Sequence, residues 1–441
     1  MSNATRRGPI LVIAWVIFGA VIAIIIIALA ISPTLTRYVE SPRFRVALEQ
    51  ETAKGLHFPD AKFAPIKRGG SLAAQSDSFS ARDGKKAMTR LDAHGITGRF
   101  NPAGVFARRW QIDDLHIDRA QIGIHAYEPK PEPSPSKPWY HIFLPDRVYL
   151  KRTWSDHVDV TWPMRGETGG IFETKLVVTP HGRDFEYHAN GGTMKNPLMP
   201  DLPVRQIHLL ITKQLLSLYD LDVSSGSGRI HGSGKTAISG QKSADFSFDW
   251  TDVPVREWLP KSWNGNFGGA ATGNFHWAGN DYRLAAATIT GAAKVNKGRV
   301  GGLKFLDQIA TITNHNDLAV LELDDCRSNF RWHEGDCELQ DVAIEQKGKF
   351  RIEGAVSFGR RSLGGTLELG IAREYLDWLP NPEEVFSRNS GGYVWTTIHL
   401  SGSLDNPKQD LSPRLLGALK ESPGALITTA LRALSVWMQK E

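Results

Sequence analysis

The chain has 441 residues, with 52 Lys+Arg against 47 Asp+Glu and a net charge of +5. At roughly 150 residues per domain it can hold about three domains. So small a charge excess, without a clustered basic stripe, argues against a nucleic-acid partner. Gly at 42 residues and charged residues at 22% exclude collagen, coiled coil and wholesale disorder.

The first element is apolar. Ile10 to Ile31 reads ILVIAWVIFGAVIAIIIIALAI, 22 positions without a charge. As a helix it spans about 33 Å, enough for the hydrocarbon core of a bilayer. A transmembrane anchor is therefore predicted over residues 10–32, after a cytoplasmic N-terminus at 1–9. Arg6 and Arg7 favour that orientation. Arg37, Arg43 and Arg45 oppose it, but long domains cross largely regardless of charge. Ala28-Leu29-Ala30 offers the alternative of signal-peptidase cleavage, although the apolar run exceeds the roughly 7–15 residues usual there. No later run rivals it, so the rest of the chain is expected on one side of the membrane.

Residues 33–127 form the next expected region. Phe44, Leu48 and Thr52 recur at helical spacing and Gly55 suits the C′ position. The period then changes to two. Trp110–Ile117 alternates with a slip at Asp113-Asp114, the mark of a bulge, and Gln121–His125 continues the alternation. Residues 128–138 carry five prolines in eleven positions. They read as an extended loop or linker and as the main internal boundary.

Beyond it, 139–290 and 291–410 are again strand-like. Phe172–Val178, Asp245–Trp250, Lys349–Glu353 and Thr366–Ile371 read as strands. Turn signals at Gly226-Ser227-Gly228, Gly268-Gly269, Gly279-Asn280, Gly335-Asp336, Lys347-Gly348 and Gly364-Gly365 predict consecutive antiparallel hairpins. A parallel βαβ layout is disfavoured. Around Glu334-Gly335 a two-residue turn sets Cys337 opposite Trp332. Cys326 then lies about 20 Å along its strand, beyond disulfide reach, so two free thiols are expected. Three helical stretches remain. Residues 302–313 place Leu303, Leu306, Ile309 and Ala310 on one face. Residues 205–219 are ambiguous between a helix and two strands. The tail, 411–441, holds two apolar-faced segments split by Pro423-Gly424.

Chemical motifs are few. Residues 228–236 (GRIHGSGKT) imitate a phosphate loop, but the required glycine is displaced to Gly228, Arg229 takes its place, and a hairpin follows instead of a helix. No HExxH, His-x-His or Cys-x-x-Cys occurs, so no structured zinc site is expected. Asp113-Asp114 and Asp324-Asp325 are adjacent strand residues pointing to opposite faces, unsuited to a general acid/base couple. No catalytic residue, metal or cofactor is assigned, and the chain is read as a non-enzyme.

Ser41-Pro42-Arg43-Phe44 with Gly55-Leu56, Arg90–Ile96 and Ile112–Ala120 carry a resemblance that continues through 291–314, Phe330–Gly335, 350–358 and Gly364–Leu369. In these stretches the chain resembles the AsmA-like family of envelope proteins, which is similar in design to chorein-type lipid bridges. The resemblance implies a mainly β fold: one N-terminal transmembrane helix, then an elongated, curled antiparallel β-sheet forming a groove, with a few short helices. It also implies a bacterial inner-membrane, single-pass protein with its bulk in the periplasm, linked to phospholipid movement and outer-membrane assembly.

A groove also suits the physics of such a sheet. An alternating sheet must bury its apolar face, and few helices are available to cover it. Covering it with lipid recovers about 0.8 kcal/mol per CH₂ taken from water. The inward-facing candidates are Ile112, Ile117, Phe172, Leu176, Phe246, Phe248, Phe350, Ile352, Leu367 and Leu369. The partners expected are phospholipid, the inner membrane through residues 10–32, and an envelope protein. Two alternatives stay open. One is a structural component of an envelope or secretion complex, in which the same residues form a closed core. The other is a glycan-binding β protein using tryptophans such as Trp154 and Trp162.

Overall fold

The computed structural model describes residues 40–420, apart from 43–44, 47–48, 51–52, 54–57, 70–72, 86–87, 102–108, 126–146, 182–183, 239–242, 281–286, 360–361, 404–405 and single positions 165, 198, 213 and 264. The predicted anchor, the proline-rich run and the last apolar segment of the tail lie outside the described residues. Among those described, no helix is long and apolar enough to cross a membrane. The fold is mainly β, with predominantly antiparallel pairing and few helices. Two compact units are present, residues 1–224 with 232–242 and residues 225–231 with 243–441. The first break in the chain between them follows Ser224.

The first unit holds β1 (Asp60–Phe63), β2 (Ile66–Arg68), β3 (Ala73–Arg82), β4 (Met88–Phe100), β5 (Arg109–Ile124), β6 (Arg147–Leu150), β7 (Thr153–Met164), β8 (Glu167–His181), β9 (Asp184–Asn190), β10 (Thr193–Lys195), β11 (Leu202–Ile211) and β12 (Leu215–Ser225). Before them, Pro42, Arg45, Val46, Glu49, Gln50 and Ala53 are helical. Glu49 ties this turn to β1 by accepting the Phe63 N–H at 2.9 Å. β1 and β2 both pair with β3, and β3, β4 and β5 follow antiparallel. β5 then pairs with β6 and β7 in parallel, which departs from the expected run of hairpins. A parallel join needs a crossover of about a dozen residues or more, and the chain between Ile124 and Arg147 has that length. β7, β8, β9, β11 and β12 continue antiparallel. The ambiguous 205–219 stretch is thus two strands; the Thr212 Oγ1 between them accepts the Leu215 N–H at 2.9 Å.

Alternation builds this unit's core. Phe79, Ile96, Ile112, Leu115, Ile117, Ile122 and Val158 are all under 2% exposed. The slip at Asp113-Asp114 is a bulge: Asp114 pairs with Arg99 and Ile112 with Phe100, leaving Asp113 between. Neither carboxylate is idle, since Asp113 accepts from Asn101 and Gln111 and Asp114 accepts from the Trp154 indole.

The second unit continues with β14 (Ala244–Pro254), α1 (Val255–Trp258), β15 (Phe267–Gly279), β16 (Ala287–Gly301), α2 (Lys304–Thr313), β17 (Val320–Leu323), β18 (Asp325–His333), β19 (Asp336–Gln346), β20 (Phe350–Phe358), β21 (Leu363–Ile371), β22 (Arg388–Ser390), β23 (Tyr393–Gly402), β24 (Pro407–Gln409) and α3 (Leu411–Lys420). Ahead of these, β13 (Gly228–Ala237) is divided between the units and contains the whole GRIHGSGKT run as extended strand, not as a phosphate cradle. β14, β15, β16, β18, β19, β20, β21 and β23 form one antiparallel succession. Glu334 and Gly335 both have positive φ, 52° and 103°, as a two-residue hairpin turn of type I′ requires.

Two predicted turns are corrected. Gly268-Gly269 lies inside β15 at a register shift, and Gly364-Gly365 lies inside β21. A Cβ on Gly365 would sit 2.5 Å from the Ala355 carbonyl oxygen, so this glycine serves close strand approach instead of chain reversal. In α2, Leu306 and Ala310 are buried but Ile309 is 41% exposed, outside the expected apolar face. Asn314 in the left-handed region ends that helix. The last part of the unit carries a buried cluster of Leu376, Leu379, Val385, Phe386, Val394 and Ala418, the last from α3.

Candidate functional site

The second unit carries a continuous apolar sheet face. On β14, Phe246, Phe248 and Trp250 are half-buried while Asp245, Ser247, Asp249 and Thr251 are exposed. The same alternation marks β18, where Phe330 and Trp332 are half-buried and Asn329, Arg331 and His333 are exposed. Antiparallel register carries the pattern across strands. One row runs Phe246, Trp277, Ile289, Trp332, Cys337, Phe358, Leu363, each the direct partner of the next. The adjacent row runs Phe248, Phe275, Gly291, Phe330, Leu339, Val356, Gly365. Seven strands at about 4.8 Å spacing make each row roughly 29 Å long.

Aromatic contacts fix one end of these rows. Phe248 and Phe275 stack with centroids 4.7 Å apart, and Trp250 tilts onto Phe275 at 6.0 Å. Gly291 lies between Phe275 and Phe330, and a Cβ there would sit 2.7 Å from the Phe330 ring. The Trp277 indole N–H is buried and has no acceptor among the described residues. Burial first, and then the neighbouring Glu338, push the Cys337 thiol pKa up, so the thiol stays protonated and the row stays uncharged.

Bulges shape the face. β19 gains an extra residue between Leu339 and Val342, where Asp341 has φ 50° and accepts from the Asn329 amide at 2.8 Å. β14 is shifted between Trp250 and Val253, where Asp252 has φ 53°. Such insertions bend the strand and raise its twist.

The ten sequence candidates are distributed unevenly. Phe246, Phe248, Phe350, Ile352, Leu367 and Leu369 come to the same face of the second unit and are half-buried. Leu369 also packs on the terminal cluster. Ile112, Ile117 and Leu176 are core residues of the first unit at 0%, 1% and 9% exposure, and present almost no surface to a ligand. Phe172 is corrected: it does not share the face of Leu176. Thr174 pairs with Val158 and Ile171 with Val160, so an extra residue intervenes at Glu173, φ 55°. The alternation is inverted there, and Phe172 lies under the Lys195 ammonium, 5.7 Å from its ring. Trp250, Phe275, Trp277, Ile289, Phe330, Trp332, Val356 and Phe358, none of them among the ten candidates, also lie on this face, and the alternation of each strand marks them.

Trp154, a candidate glycan platform, is engaged within the first unit. It stacks on His116 at 3.8 Å and donates to Asp114 at 3.0 Å. No protein-family model, no curated protein and no solved structure matches this chain.

Proposed function

We propose that this is a membrane-anchored, non-enzymatic protein whose second unit binds phospholipid acyl chains along its apolar rows, serving lipid movement or assembly in a bacterial envelope. The observation that carries the reading is the half-buried apolar face of Phe246, Phe248, Trp277, Phe330, Trp332 and Phe358, continuous across seven strands. Apolar side chains left partly accessible in a contiguous band are costly in water, and such bands are found at binding sites. An acyl chain laid on this face gains about 0.8 kcal/mol per CH₂. The apolar run at 10–31 supports attachment to the inner membrane, with the bulk of the chain in the periplasm, and the AsmA-like resemblance points the same way.

The test is photocrosslinking in cells, with a photoreactive residue at Phe248 or Val356 and, as a control, at exposed Ser247. Radiolabelled phospholipid should be captured at the first two positions and not at Ser247. Capture of protein alone would overturn the reading in favour of a structural module with a partner on this face.

A further inference from the structure

A separate constellation lies in the first unit. Glu186 and His188 stand two residues apart on β9 and share a face. His208 on β11 is the direct cross-strand partner of His188. The His188 and His208 rings stack with centroids 4.1 Å apart. Glu186 Oε1 lies 2.6 Å from His208 Nε2 and 3.8 Å from His188 Nε2. One donor atom from each residue lies within 4.8 Å of the others, the only such grouping of three found among the described residues.

We infer that Glu186, His188 and His208 form a binding site for a divalent transition metal of the zinc class, clamping β9 to β11. Two imidazoles and a carboxylate are the donor set that suits Zn²⁺, Cu²⁺ or Ni²⁺, whereas Mg²⁺ and Ca²⁺ require oxygen donors. Bonds of about 2.0–2.1 Å hold tetrahedral donors roughly 3.4 Å apart. The two Glu186–histidine distances, 2.6 and 3.8 Å, bracket that value, and modest rotation about the broad imidazole χ2 torsions can bring the nitrogens together. The side chains are 24% to 36% exposed, so an ion can enter without unfolding the strands. Three protein donors leave a fourth position for water. On the opposite face of β9, Phe185, Tyr187 and Ala189 are buried and hold the strand that carries the donors. The local sequence contains no metal motif because register, not spacing, joins His188 to His208.

The test uses the full chain, purified without a histidine tag and stripped with chelator. Zn²⁺ is added alone, and retained metal is counted after desalting; Co²⁺ visible absorption reports the geometry. One retained ion per chain is expected, with affinity falling at least tenfold in His188→Gln and in His208→Gln and unchanged in His333→Gln. Thermal unfolding of the unaltered chain should rise with Zn²⁺ and not with Mg²⁺, because only the folded state has the site. Absence of retained Zn²⁺ together with no thermal shift would overturn the inference, as would equal retention by the His188 and His208 variants.

Discussion

Trp332 and Cys337 are direct cross-strand partners, one pair from the Glu334-Gly335 turn and in the middle of an apolar row. Cys326 pairs with Ile344 at the other end of the same hairpin. Both thiols are free, and burial pushes both pKa values up. Alkylation at neutral pH should therefore be slower than for an exposed thiol, whose pKa is about 8.5. Two thiols per chain should be counted after denaturation without reductant. Fast labelling of Cys326 in the native protein would contradict this geometry.

Gly291 is confined on two sides. A Cβ there would lie 2.2 Å from the Asn274 carbonyl oxygen and 2.7 Å from the Phe330 ring. Gly291→Val should cost about 1–3 kcal/mol through overpacking, read as a lower denaturant midpoint with unchanged slope.

Lys297 has φ 50° at an irregularity in the pairing of β15 and β16, and its side chain is exposed. A left-handed conformation costs a non-glycine residue about 1–2 kcal/mol. Lys297→Gly should raise stability by roughly 1 kcal/mol, whereas a loss would show that the lysine side chain matters there.

Leu376→Ala and Phe248→Asp should separate folding from ligand binding. Leu376 is 2% exposed within the terminal cluster, and its truncation should cost about 2–5 kcal/mol. Phe248 is half-buried on the apolar face. Its replacement by Asp should leave the strand signature in circular dichroism intact while abolishing lipid capture from Val356.

Asp317 accepts from the Lys349 ammonium at 2.7 Å and the Tyr375 hydroxyl at 2.8 Å. The Lys349 hydrogen bond holds the Asp317 carboxyl below its ordinary pKa, while burial and then Asp317 push Tyr375 up to about 12. The depressed carboxyl contributes stability above its unfolded pKa of about 3.9, lost as pH falls through the lower folded value. The raised phenol contributes below its unfolded pKa of about 10, lost as pH rises toward the folded value. Chemical denaturation between pH 10 and 12 should show a decline that Tyr375→Phe reduces. Because the Asp317 side chain is 45% exposed, Asp317→Asn should cost no more than about 1 kcal/mol at neutral pH.

Local alternation was enough to read the strands at Asp245–Trp250, Lys349–Glu353 and Thr366–Ile371, and the Glu334-Gly335 turn was enough to pair Trp332 with Cys337. Those features depend on a period of two and on turn residues close in sequence. Long-range pairing settled what alternation could not. The bulge at Glu173 turned Phe172 away from Leu176. Crowding by partner strands kept Gly365 within β21. The parallel join of β5 to β7 followed a long connection. The pairing of β9 with β11 brought His208 beside His188 from twenty positions away. A strand's side-chain pattern states which residues share a face, but its partners and the position of each extra residue arise from distant segments meeting. These decide which face is buried and which side chains become neighbours.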